Sequence, residues 1–158
     1  MKINYVFGDA TNPIGDGNKI IVHVCNDIGA WGAGFVLALS KRWKDPELYY
    51  RALTKYILGD IQLVDVEKDI TVCNLIGQES TISRRTEGTT LPPVRYVAIE
   101  AGLKKLAKQI GRHGILTNSV HMPRIGSGLA GGNWKIIETI IEETLINEGI
   151  TVTVYDLP

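Results

Sequence analysis

Lys19-Ile20-Ile21-Val22-His23-Val24-Cys25-Asn26-Asp27-Ile28-Gly29-Ala30-Trp31-Gly32-Ala33-Gly34 is the stretch whose reading decides the fold. Residues 19–25 are too continuously apolar and β-branched for a half-exposed strand, so they read as a strand buried on both faces. Glycines follow at once, and Phe35, Leu37, Ala38 and Leu39 place a helix over residues 34–42. The same succession recurs later. A short strand at 120–122 leads through Gly126-Ser127-Gly128-Leu129-Ala130-Gly131-Gly132 into a helix marked by Ile137, Ile140, Ile141, Thr144 and Leu145. Asn133 is placed to cap that helix and Gly149 to end it.

Outward from these two units, residues 3–7 read as a strand ending at Gly8-Asp9. Pro46 starts a helix with apolar positions Leu48, Tyr49, Leu53 and Ile57. Residues 61–66 and 70–76 are separated only by Glu67-Lys68-Asp69, which implies an antiparallel hairpin. Residues 78–93 form a long polar stretch of the kind that serves as a functional lid. Ile99, Leu103, Leu106 and Ile110 repeat at helical spacing across 95–111. Residues 151–155 close the chain as a strand. The expected fold is α/β: one domain over residues 1–158, a three-layer α/β/α sandwich with a central mixed sheet.

Composition narrows the function. The chain has 158 residues, 44% hydrophobic and 22% charged, which is ordinary globular composition. Lys plus Arg is 17 and Asp plus Glu is 17, so the net charge is zero and nucleic acid is not indicated as a partner. No apolar run reaches the roughly 18 residues of a membrane helix, and no membrane partner is expected. The N-terminal residues lack a signal peptide's apolar core, so the expected location is cytoplasmic. Cys25 and Cys73 cannot form a disulfide scaffold or a four-thiolate zinc site, and both read as buried small hydrophobes. His23 sits on an apolar strand as a core histidine, His113 follows a helix, and His121 lies on the short strand. With no His-Glu-x-x-His or Cys-x-x-Cys pattern, neither a metal nor a cofactor is expected. No Gly-x-Ser-x-Gly elbow suggests a serine hydrolase.

Two glycine-rich loops, each between a strand and a helix, suit a diphosphate. Glycine lets backbone approach a ligand, successive N–H groups converge on an anion, and a helix N-terminus adds partial positive charge. Gly126-x-Gly128-x-x-Gly131, with Asp156 beyond it, also matches the dinucleotide fingerprint. That fingerprint opens a βαβαβ half, whereas here one strand follows, which argues against a Rossmann dehydrogenase.

These loops, with Gly8-Asp9-Ala10-Thr11, His23-Val24-Cys25-Asn26-Asp27, Met122-Pro123-Arg124-Ile125-Gly126-Ser127-Gly128-Leu129 and Val152-Thr153-Val154-Tyr155-Asp156-Leu157, resemble the macrodomain, the ADP-ribose-binding module. The resemblance covers nearly the whole chain. It is nearest to the branch with terminal ADP-ribose protein glycohydrolase and the yeast ADP-ribose 1″-phosphate phosphatase. It implies ADP-ribose or an ADP-ribosylated protein as partner. Asp9 would then accept from the adenine amine, backed by Ala10, with Tyr155 and Leu157 bordering the base. Trp31, Gly32, Ala33, Gly34 and Phe35 would line the distal ribose and diphosphate. Ile125 and Gly126 would lead into Ser127, Gly128, Leu129 and Ala130, whose amides wrap the diphosphate.

In the glycohydrolase branch a lysine after the fourth strand and an aspartate in the second glycine loop carry the chemistry. Those places here correspond to Gln78 and Ala130, so a lysine adduct is not expected. Asp27 is the candidate for orienting or deprotonating water, or else a loop acid that caps a turn. Asn26 would hold a ribose hydroxyl. Gln78 would orient water, or else is a solvated loop residue. Arg84 and Arg85 would reach over the site as part of a lid, or else are solvated surface residues. Trp31 either walls the distal ribose or packs under its loop. The implied activity is hydrolysis of O-linked ADP-ribose from protein carboxylate esters. The alternatives are ADP-ribose 1″-phosphate phosphatase and a non-catalytic ADP-ribose reader.

Overall fold

The computed structural model describes residues 1–81, 92–112 and 118–158. Arg84, Arg85, His113 and most of the expected lid lie outside the described residues. The elements are β1 (Asn4–Phe7), β2 (Lys19–Asn26), α1 (Phe35–Arg42), α2 (Asp45–Arg51), β3 (Ile61–Glu67), β4 (Ile70–Gln78), α3 (Tyr96–Arg112), β5 (Ser119–Met122), α4 (Trp134–Thr144), a 3₁₀ turn (Ile146–Glu148) and β6 (Val152–Asp156). The six described strands form one sheet in the order β1-β6-β5-β2-β4-β3. All neighbours are parallel except β3, which pairs antiparallel with β4 across a two-residue link, Lys68-Asp69, Glu67 having joined the strand.

Side-chain alternation on β2 explains the three layers. Ile20 and Val22 point into a large core with α3 and α4, while Ile21 and Cys25 point into a smaller one with α1 and α2. The larger core sets Ile99, Leu103, Leu106 and Ile110 of α3 and Ile137 and Ile141 of α4 against β2, β5 and β6. The spacing read from sequence is the spacing that is buried. Asn133 caps α4 by accepting from the Lys135 N–H at 2.9 Å. Gly149 ends the following 3₁₀ turn at φ 79°. No helix among the described residues is long and apolar enough to cross a membrane.

The second helix departs from expectation. α2 stops at Arg51, and its buried residues are Pro46 and Tyr50. Leu48, Tyr49 and Ile57 are exposed. A helix of two turns has no room for the longer apolar stripe. Its orientation follows Tyr50, whose hydroxyl reaches the carbonyl of Asn26 at 2.6 Å, so the ring is drawn under the end of β2.

Parallel pairing has one consequence for function. β1, β2, β4, β5 and β6 run in one direction, so both glycine loops leave the same edge of the sheet, where open α/β folds bind ligands.

Gly102 marks a close contact between α3 and the sheet. A Cβ there would lie 2.6 Å from Leu75 Cγ, in a fully buried side chain. Alanine gains about 1 kcal/mol of helix propensity. Overpacking costs typically 1–3 kcal/mol and in this rigid setting outweighs it. Gly102→Ala should therefore destabilise the fold by about 1–2 kcal/mol in urea unfolding. A variant at or above the parent stability would show that α3 is free to move off the sheet.

Candidate ligand-binding cleft

A cleft of about 800 Å³ opens at the ends of β2 and β4. Its lining includes Asn26, Trp31, Gly32, Val36, Gln78 and Leu129. The two glycine loops meet at one end of it. Gly34 adopts φ 77°, and a Cβ there would sit 3.8 Å from Leu129 Cδ1. The second loop closes on itself where the Gly132 N–H donates to the Gly126 carbonyl at 2.7 Å, and any Cβ on Gly132 would collide with that oxygen. Gly32 and Gly128 are different: a Cβ on either would meet open space.

The amides of both loops are available. The N–H groups of Gly32, Ala33, Gly34, Phe35 and Val36 have no acceptor among the described residues, nor do those of Gly128, Leu129 and Ala130. Gly34 caps α1 without a side-chain hydrogen bond, which leaves the helix N-terminus open. Gly32, Ala33 and Val36 of the first run and Leu129 of the second line the cleft, and unpaired backbone N–H groups of this kind suit an anion. The side chains of Ile125 and Ala130 are buried, and the Ala130 carbonyl accepts from the Val94 N–H at 3.0 Å. These two residues can therefore contribute only backbone. The Ser127 hydroxyl donates to the Arg124 carbonyl at 2.8 Å, which stabilises the bend entering the loop.

Asn26 lines the cleft, but its amide is committed to the first loop. Nδ2 donates to the Ala30 carbonyl at 2.7 Å, and Oδ1 accepts from the N–H groups of Ile28 at 3.1 Å and Ala30 at 3.0 Å. The Tyr50 hydroxyl adds a third contact to Oδ1 at 2.8 Å. Asp27 and Gln78 grip one residue, Ser80, by its N–H and its carbonyl. Asp27 Oδ1 accepts from the Ser80 N–H at 2.7 Å, and Gln78 Nε2 donates to the Ser80 carbonyl at 3.0 Å. Ser80 holds φ 59°, an uncommon conformation for a residue other than glycine. Asp27 Oδ2 and Gln78 Oε1 have no partner among the described residues.

Asp9 is not among the residues that line the cleft; its Oδ1 accepts from the N–H and hydroxyl of Thr11, both at 2.8 Å, and Oδ2 has no partner among the described residues. Ala10 is buried behind it. Tyr155 is 4% exposed, so its ring is not open to a base. It props the β1–β2 loop instead, its hydroxyl accepting from the Ile14 N–H at 3.0 Å and meeting His121 Nδ1 at 2.7 Å. Leu157 is 77% exposed, and so is Phe7, at 81%. The sheet register sets Phe7 opposite Asp156, next to Leu157. The sequence reading missed Phe7, although an aromatic residue just before Gly8-Asp9 was the available signal.

The cleft floor is built from rings. Trp31 is 5% exposed and lies edge-on to His23 (centroids 5.3 Å apart) and tilted against Tyr50 (5.4 Å). Phe35 tilts against the other side of His23 at 5.9 Å. Trp31 thus packs under its loop while one surface meets the cleft. Burial lowers the His23 pKa to about 4, against a smaller opposing effect from its hydrogen bond to Asn74. Burial, then the nearby Lys19 charge, lowers His121 to about 4 as well. Both imidazoles are neutral near pH 7. Burial raises the Cys25 thiol and pushes that of Cys73 up to about 12, so neither is a ready nucleophile. No group of three His, Cys, Asp or Glu side chains that could hold a metal occurs among the described residues. Arg51 also lines the cleft, a residue the sequence reading passed over because nothing ties a helix C-terminal arginine to a distant loop.

The geometry and the expected motifs converge with known proteins. A Streptomyces coelicolor macrodomain protein of solved structure is 45% identical at TM-score 0.83, the match covering 99% of this chain and 100% of that one. The chain belongs to the macrodomain family. A Bacteroides thetaiotaomicron protein of unknown function is 52% identical at TM-score 0.91, covering 99% of both chains. Among curated relatives, the Saccharomyces cerevisiae ADP-ribose 1″-phosphate phosphatase is 26% identical over 99% of both. The chain is also 32% identical to the Mus musculus chromodomain-helicase-DNA-binding protein 1-like and 33% to its Danio rerio counterpart, but spans only 18% and 15% of their lengths. No protein-family model matches.

The buried histidines set a pH window. Their pKa values fall from 6.5 unfolded to about 4 folded, so below pH 6.5 the unfolded chain takes up protons that the fold excludes. Stability is therefore full above pH 6.5 and declines as pH falls toward 4. Urea unfolding at pH 5 should give a stability about 3 kcal/mol below that at pH 7 from the two groups together. Equal stabilities at the two pH values would mean that both rings protonate in place.

Proposed function

We propose that the protein binds ADP-ribose in this cleft and hydrolyses O-linked ADP-ribose from modified acceptors, protein carboxylate esters being the first substrate class. The observation that carries the reading is the double set of backbone amides, in the Gly32 and Gly128 loops that meet at Gly34 and Leu129, with no acceptor among the described residues. A diphosphate has two anionic centres and fits two such receptors. On one side, Asp9 Oδ2 supplies a single acceptor for an exocyclic amine, beside the exposed side chains of Phe7 and Leu157. On the other, Asn26, Asp27 and Gln78 gather where a distal ribose would lie.

The chemistry runs without a lysine. Gln78 holds the Ser80 carbonyl with its amide N–H and keeps Oε1 for a water. Asp27 holds the Ser80 N–H with one oxygen and keeps the other to accept a proton. Water attacks the anomeric carbon, its oxygen bonding there as the bond from that carbon to the acceptor oxygen breaks. The acceptor leaves as a carboxylate, and the proton passes to solvent through Asp27. Asn26 acts by shaping the loop beneath the ribose. Positioning and fixed dipoles supply much of such a rate without a covalent intermediate. Resemblance over the full length to the yeast phosphatase favours a second reading, action on ADP-ribose 1″-phosphate. The same cleft without turnover would be a reader.

A phosphorus and proton NMR time course with an ADP-ribosylated glutamate peptide, corrected for spontaneous ester loss, separates these readings. Catalytic release of ADP-ribose is the expected result, and binding without release excludes the hydrolase. Asp27→Ala should abolish release while ADP-ribose affinity stays within about tenfold, roughly 1.4 kcal/mol. Surviving activity would remove Asp27 from the mechanism.

Asp9→Asn keeps an oxygen for Thr11 but puts an NH₂ where the adenine amine needs an acceptor. By calorimetry it should weaken ADP-ribose about tenfold, one charge-assisted hydrogen bond, and leave ribose 5-phosphate unchanged. Equal losses for both ligands would place Asp9 away from the base.

A further inference from the structure

Among the described residues that line the cleft, Arg51 is the one with a charged side chain. It is held in place by a chain of contacts that starts at the cleft floor. The Trp31 indole N–H donates to Ser40 Oγ at 2.8 Å, and Ser40 donates to Glu47 Oε1 at 3.2 Å. Glu47 Oε2 in turn accepts from Arg51 Nε at 2.8 Å. On its other side Arg51 Nη1 donates to the Gly29 carbonyl at 3.3 Å. Nη2 has no partner among the described residues. The guanidinium is thus fixed from α1, α2 and the first glycine loop, with one donor edge uncommitted.

Its place along the cleft matters. The loops meet at Gly34 and Leu129, which is where the amides would hold a diphosphate. Arg51 stands against Gly29, in the same lining as Asn26 and Gln78. With the diphosphate at the loop junction and the distal ribose over Asn26 and Gln78, Arg51 would lie on the acceptor side of the scissile bond.

We infer that Arg51 is a specificity-determining residue for the acceptor: it selects ligands that bear negative charge on the anomeric carbon of the distal ribose, a phosphate above all. The inference rests on the ADP-ribose reading of the cleft. A guanidinium edge suits phosphate oxygens, and its orientation is already set before the ligand arrives. Glu47 offsets part of the charge, and half of the Arg51 side chain is exposed, which keeps the preference moderate. A carboxylate leaving from the same carbon develops charge in the same place, so one residue serves both proposed substrates.

The test is a calorimetric titration of the protein, Arg51→Gln and Arg51→Lys with ADP-ribose and with ADP-ribose 1″-phosphate, the ligand's integrity followed by phosphorus NMR. The parent protein should bind the 1″-phosphate about tenfold more tightly than ADP-ribose. In Arg51→Gln the two affinities should become equal, and Arg51→Lys should keep part of the preference. A purely structural role would weaken both ligands together and leave their ratio unchanged, which overturns the inference. So does a parent protein that binds ADP-ribose well but shows no preference for the phosphate. A parent that binds neither ligand overturns the ADP-ribose reading itself, and the inference with it.

Discussion

The amide of Asn26 is the constraint on which the cleft depends. It sits at the end of β2, 7% exposed, where the strand's hydrogen-bonding ladder runs out and the backbone must turn without water. One side chain satisfies three backbone groups of the first loop, and Tyr50 closes the remaining position. Buried polar groups left unpaired cost about 1–3 kcal/mol each, so this closure fixes the loop in one shape. Its Ala30 carbonyl is used inward, and the amides of Gly32 to Val36 are left without an acceptor among the described residues. Tyr50 also carries the constraint into α2, which is why that helix presents Pro46 and Tyr50 to the core.

Neutral buried histidines perform a parallel task under the two ends of the site. His23 bonds to Asn74, which itself reaches the Pro46 carbonyl and Gln62, and the ring supports Trp31 and Phe35. His121 bonds to Ser119 and Tyr155, and Tyr155 holds the loop behind Asp9. Each network is hydrogen-bonded within the fold, so the walls of the cleft are rigid before a ligand enters. Rigid amides cost little reorganisation when charge arrives, which is what binding and hydrolysis at a diphosphate-linked sugar both need.

The Ser80 peptide shows how the site joins separate strands. Asp27 follows β2 and Gln78, which pairs with Asn26 in the sheet, ends β4; both side chains also hold Ser80. Such sharing makes the acidic and amide side chains a single piece of geometry. It also leaves one oxygen of each uncommitted at the place where water would be needed.

Periodicity in the amino-acid sequence determined the layers by itself. The β-branched run of β2 must be covered on both faces, and α3 and α4 show their apolar stripes at helical spacing; burial follows from solvent exclusion alone. The two glycine loops were legible for the same local reason, as were the Asn133 cap and the β3–β4 hairpin. Four things waited for tertiary structure: the two turns of α2, the loop-closing job of Asn26, the burial of Tyr155 and the reach of Arg51 to the cleft. Each depends on a hydrogen bond between residues 22 or more positions apart (Tyr50 to Asn26, Ile14 to Tyr155, Arg51 to Gly29) or on a loop closing over a strand end. Local pattern records which residues avoid water, but a polar side chain's partner is set by what the packed layers bring beside it.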